Sequence, residues 1–134
     1  MIMENNEFAR LEDIQQHIEK SRFNDFGGSL DLIYEELVAL NAWKSFSGKM
    51  MSLYKRDLNE AKVSAYNSLI ASQRAVRIDI PPSIAKDYIA SKCGSLQYEY
   101  DFAERVNSNC AYYIETLRSI LSALKQELAT NTFQ

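Results

Sequence analysis

Three features of the 134-residue sequence predict an all-α fold, built as a long antiparallel helical hairpin of coiled-coil character behind a short N-terminal helix. Apolar residues recur at steps of three and four over most of the chain, the period of one helix face. Four glycines and two prolines leave too few turns for a sandwich, a barrel or a doubly wound sheet. An apolar share of 46% against 25% charged suits a chain that buries a core, and the length makes residues 1–134 one domain.

Residues 1–6 read as a frayed tail, with Asn5 or Asn6 as N-cap of a helix over 7–22. Phe8, Leu11, Ile14 and Ile18 give that helix its apolar stripe. The segment Phe23-Asn24-Asp25-Phe26 ends it, and Gly27-Gly28 supplies the stop signal. Ser29 then caps a long helix over 29–76. Its stripe runs through Leu30, Ile33, Leu37, Leu40, Trp43, Phe46, Met50, Leu53, Leu58, Ala61, Ala65, Leu69 and Val76. Such a helix is roughly 70 Å long. Gly48 is its one interior glycine, the place expected for a bend or a close packing point.

Pro81 and Pro82 cannot continue a helix, because they lack donors and push the preceding residue to extended geometry. Ser83 is the expected cap of the last helix, 83–128. Its stripe comprises Ala85, Tyr88, Lys92, Leu96, Phe102, Val106, Cys110, Tyr113, Leu117, Leu121, Leu124 and Leu128, with Gly94 as the weak point. Two long helices joined by a short proline connection fold back antiparallel. The near-heptad steps predict coiled-coil packing along the seam.

A pair of helices is thin. Tyr34, Met51, Tyr54, Tyr66, Ile70, Tyr98, Tyr100, Tyr112 and Ile114 lie off or at the edge of the seams. An apolar and aromatic band of that size predicts assembly into a homo-oligomer. Tyr98, Arg105 and Tyr112 are spaced by sevens in one row. Such a row either stacks on unpaired bases or packs between subunits, and the preference of tyrosine for interfaces favours the second.

Nothing in the sequence carries catalysis. His17, the one histidine, has no cysteine or serine partner at motif spacing and reads as a surface residue. Gly27-Gly28 lacks the rest of a phosphate loop. No residues have metal-ligand spacing, so neither a metal nor another cofactor is expected. Glu12-Asp13 and Glu35-Glu36 are adjacent in helices and read as solvated charge. Cys93 and Cys110, about 25 Å apart on one helix, read as small apolar fillers of a reducing compartment. No apolar run approaches the ~20 residues of a membrane span, and MIMENNE lacks the layout of a secretory signal. The expected location is the cytoplasm, with no membrane partner.

Charge is divided by region. Residues 1–36 carry nine acids and three bases, and residues 93–134 five acids and three bases. Residues 37–92 carry nine bases and four acids, a balance of +5. A basic middle in an acidic chain points to an anionic partner, to head-to-tail docking of subunits, or simply to solvated helix faces of uneven charge. Lys44, Lys55 and Lys62 share one face of the long helix, and Lys49 and Arg56 form a second row. Arg74 and Arg77 stand at its end, with Lys86 and Lys92 beside them across the connection. Lys49, Lys55, Arg56, Lys62, Arg74 and Arg77 are the candidate phosphate-binding residues, whose few contacts per subunit an oligomer would multiply. Tyr98 and Tyr112 are the candidate interface residues.

Two stretches, LDLIYEELVALNAWKSFSGKMMSLYKRDLNEAKVSAYNSLIASQRA (30–75) and SIAKDYIASKCGSLQYEYDFAERVNSNCAYYIETLRSILSALKQE (83–127), carry a resemblance to the UvsY-like phage recombination mediators. SLQYEYDFAE and TLRSILSALKQE are its most characteristic parts. The resemblance implies a non-enzymatic protein that binds single-stranded DNA, forms ring-like oligomers and helps a RecA-like recombinase replace single-strand-binding protein. It also implies the host cell cytoplasm as the location of a phage-encoded chain. DNA contacts would come from Lys49, Lys55, Arg56 and Lys62. The chain departs from the family in VSAYNSLIASQ (63–73), which is uncharged where the family is basic, bases resuming at Arg74. The alternative is a helical phage assembly or structural protein that binds only other helices.

Overall fold

The computed structural model describes residues 2–21 and 26–132, with side chains described over 6–21 and 26–131. These residues form four helices and no strand: α1 (Ile2–Lys20), α2 (Leu30–Val76), α3 (Pro82–Lys92) and α4 (Gly94–Thr132). The all-α class holds.

α1 begins at Ile2, so Asn5 and Asn6 are helical residues and neither a tail nor a cap. The reason is local: MIMENNE contains no proline or glycine, and methionine and glutamate are good helix formers. The helix ends two residues earlier than expected. Ser21 donates from its N–H and its Oγ to the carbonyl of His17, at 3.0 and 2.7 Å. Phe23, Asn24 and Asp25 of the expected break lie outside the described residues.

α2 starts and stops as its sequence predicts. Gly27 and Gly28 take φ of 53° and 80°, the left-handed region where a side chain is strained. Ser29 follows in extended geometry, and its Oγ accepts from the Leu32 N–H at 3.4 Å. At the far end Arg77 adopts φ 59°, ψ 36° and donates its N–H to the Gln73 carbonyl at 2.7 Å. That left-handed cap is usually glycine.

The expected helix over 83–128 is two helices. α3 starts at Pro82, whose missing N–H is harmless in a first turn, and Ser83 lies inside the helix rather than capping it. The break falls at Cys93, with φ −108° and ψ 10°. Its N–H is shared between the carbonyls of Ile89 and Ala90, at 3.2 and 3.3 Å, and its own carbonyl accepts from Gln97 at 2.9 Å. One residue leaves helical geometry while the hydrogen bonds on either side persist. Gly94, the weak point in the sequence, stands immediately after it, costing roughly 1 kcal/mol relative to alanine.

α2 and α4 run in opposite directions. Lys125 of α4 sits over Tyr34 near the start of α2, Asn107 bonds at Lys44, and Tyr100 faces Lys55 further along. α1 packs chiefly on α4. Phe8 meets Phe102 at 5.1 Å between centroids, and Asn109 donates to Gln15 at 3.0 Å.

One core joins the three helices. Leu11 and Ile14 come from α1, Ile33, Leu37, Leu40 and Met50 from α2, and Val106, Cys110, Tyr113 and Leu117 from α4. Tyr54 and Ile114, expected in an exposed band, are buried in this same core, because α1 adds a third wall that a two-helix picture lacks. Val76 and Leu128, expected in the seam, are exposed at the helix ends. Beyond α1 the packing thins. Leu58, Ala65, Leu69 and Cys93 are buried there, yet α3 buries no residue at all.

Candidate functional site

The six candidate phosphate-binding residues are all exposed and spread along α2 and its cap. Lys49 to Arg77 spans 28 residues, hence about 42 Å. They form a strip, not a pocket. A step of seven residues returns to nearly the same helix face, so Lys55 and Lys62 share one row and Lys49 and Arg56 another.

Local contacts separate the six. Lys55 Nζ lies 5.9 Å from the Tyr100 ring, which holds the ammonium at the α2–α4 edge. Arg56 is bound to Asp57 through Nε and an Nη, at 3.2 and 3.1 Å. Among the described residues it is the one member of the six held by a carboxylate. Exposed pairs of that kind are worth under about 1 kcal/mol. Arg74 lies in the last turn of α2, where a cation also complements the helix dipole.

Tyr98 and Tyr112 are 61% and 72% exposed, and Arg105 between them is exposed as well. The row of three therefore lies on an open face of α4. Its lower member is partly committed: Tyr98 sits 6.1 Å from the Phe8 ring and 6.2 Å from that of Phe102. Tyr112 has no such ring contact among the described residues.

Two residues read as bland in the sequence are structural links. His17 Nε2 and Glu36 Oε1 are 2.6 Å apart, and the imidazole stands edge-on to Trp43 at 4.8 Å. Together with Arg10 over the Phe46 ring at 4.2 Å, this pair ties α1 to α2. Glu36 is thus not solvated charge: its side chain is only 16% exposed. The partners are 19 residues apart with no motif between them, so no sequence signal reveals the pair.

Sequence reasoning also missed a groove of about 660 Å³ between α2 and α3. Tyr66, Leu69 and Ile70 form one wall, Ala85, Ile89 and Cys93 the other, and Lys62 and Lys86 stand among its lining. The available signal was the uncharged 63–73 stretch facing a short helix rich in alanine and isoleucine.

Cys93 and Cys110 are both buried free thiols. Burial pushes the Cys110 thiol up from its ordinary 9.0 to about 11, against a smaller opposing pull from Lys44. A thiol so held is a packing group, not a nucleophile. Among the described residues no three histidine, cysteine, aspartate or glutamate side chains gather as for a metal. No helix among them is long and apolar enough to cross a membrane. Compared with known proteins, the chain matches no family model, and neither a curated protein nor a solved structure matches it significantly.

Proposed function

We propose that the protein is a non-enzymatic helical scaffold that binds single-stranded DNA and assembles with copies of itself. In this reading it acts as a recombination mediator, helping a RecA-like recombinase displace single-strand-binding protein in the cytoplasm, that of the host cell if a phage encodes it. The supporting observation is the exposed basic strip along α2 and its cap: Lys49, Lys55, Lys62, Arg74 and Arg77 are exposed and, among the described residues, without a carboxylate partner. Flexible DNA follows such a strip where a rigid duplex would not, and an oligomer would repeat it. The three-and-four-residue seam between α2 and α4 supports coiled-coil-like packing as the stiff rod beneath it. Tyr98 and Tyr112, open on α4, support side-by-side contact between subunits.

Fluorescence anisotropy with oligo-dT tests the DNA reading. Five neutralised phosphates give a salt slope of about −3.5, so affinity should fall about 100-fold between 50 and 200 mM salt. No binding at 50 mM removes the reading.

A second reading, a helical assembly protein without DNA contacts, is favoured by the open groove beside α3. It predicts that charge reversal at Lys49 and Lys55 leaves partner binding intact.

A further inference from the structure

We infer that the groove between α2 and α3 receives the first turns of α2 from a second copy of the chain, joining subunits end to end. This rests on the proposed self-assembly and names the surfaces that carry it.

The groove is unfinished as a piece of packing. On its α3 wall Ala85 and Ile89 are not fully buried and only the capping Cys93 is, while Tyr66 and Ile84 are 52% and 56% exposed at and beside it. An apolar cleft left this open needs a cover. Its charged members are Lys62 and Lys86, both bases. The cover should therefore be apolar and acidic.

Such a surface exists at the opposite end of the same helix. Val38 is 72% exposed at the start of α2, flanked on opposite sides by Leu32 and Tyr34, 46% and 43% exposed. Asp31 and Glu35, both exposed, stand on the same face as Val38 at steps of four and three. Lys125, over the Tyr34 ring at 5.4 Å, borders this patch on one side. About 36 Å of helix, from Val38 to Lys62, separates the patch from the groove, so no subunit can place its own patch in its own groove. Two complementary but different surfaces make a head-to-tail contact, which closes into a ring or grows as a filament. The regional charge imbalance, acidic over 1–36 and basic over 37–92, has the sign this pairing needs.

Light scattering after size exclusion, without DNA, tests the contact on the full chain. Lys86→Glu spoils the groove and Glu35→Lys spoils the patch. Both residues are exposed, and circular dichroism should show unchanged helix content. Each variant alone should lose at least half the molar mass of the parent assembly. Mixed one to one, they should recover heavier species, since the intact patch of one fits the intact groove of the other. A second measurement uses Val38→Cys and Ile89→Cys chains. The mixture should give a disulfide-linked dimer under mild oxidation, well above what either chain gives alone.

Equal cross-linking of Ile89→Cys with itself would overturn the head-to-tail contact in favour of a two-fold one. So would a variant that keeps the parent mass. A parent chain that runs as one subunit would give the groove to another protein's helix or to an apolar small molecule, and would also overturn it. Failure here with oligo-dT binding intact leaves the DNA reading standing. Loss of oligo-dT binding with the expected masses does the reverse.

Discussion

Asn107 of α4 donates from Nδ2 to the main-chain carbonyl of Lys44 on α2 at 2.9 Å, and to Ser47 Oγ at 3.1 Å. Ser47 is wholly buried and returns its own hydroxyl to the Lys44 carbonyl at 3.0 Å. A polar cross-brace thus ties α4 to α2 within a largely apolar seam, and it favours one alignment of the two helices along their length.

Removing that brace should cost little energy and much definition. In Asn107→Ala the Ser47 hydroxyl keeps its bond to Lys44, so no buried donor is stranded. The expected loss is about 1 kcal/mol, the usual net worth of such a bond. Urea unfolding followed by circular dichroism measures it. A loss above about 3 kcal/mol would mean the amide organises more of the core than its two bonds suggest.

Cys110 gives the chain an alkaline weakness. Its thiol ionises near 9.0 when exposed and near 11 in the folded chain, because burial disfavours the thiolate. Below pH 9 both states hold the proton and the thiol is neutral to stability. Between pH 9 and 11 the unfolded state releases it first, so unfolding gains and stability falls. Urea midpoints at pH 8.5 and 10.5 should drop further in the parent than in Cys110→Ala, which lacks this thiol. Equal drops would show that the thiol ionises freely in the fold.

Gly48 is dispensable. A methyl group built there would meet Asn107 Nδ2 at 3.5 Å, an ordinary contact, and α2 runs through the position unbroken. Gly48→Ala should therefore raise stability by about 1 kcal/mol through helix propensity, seen as a higher urea midpoint. A lowered midpoint would reveal that Asn107 cannot give way.

What the sequence made legible follows from range. Ser29, the Gly27-Gly28 turn and the α2 stripe depend on neighbours within four residues, and local spacing records them. The burial of Tyr54 and Ile114 depends on α1 lying along α4, which no local period encodes. The kink at Cys93 was half-visible: Gly94 marked the weak point, but the residue that turned is the buried cysteine before it. The basic strip was legible because charge on an exposed helix face needs no partner to place it. The groove was not, because it arises where α3 fails to bury anything, and incomplete packing leaves no periodic trace.

Arg77 allows stability and the proposed DNA contact to be pulled apart. It holds φ 59° without being glycine, a conformation that costs an ordinary residue roughly 1–2 kcal/mol. Arg77→Gly relieves that strain, partly offset by the greater freedom of glycine in the unfolded chain. The net expectation is a gain of up to about 1 kcal/mol in a thermal or urea melt. The same change deletes one exposed base, so oligo-dT affinity should fall and the salt slope should flatten by about 0.7, one phosphate's share on a single strand. A loosened chain would lose both stability and binding, whereas a DNA-contacting cap gains the first and loses the second. Gain of stability with affinity and slope unchanged would place Arg77 outside the DNA path and shorten the strip to Lys49 through Arg74.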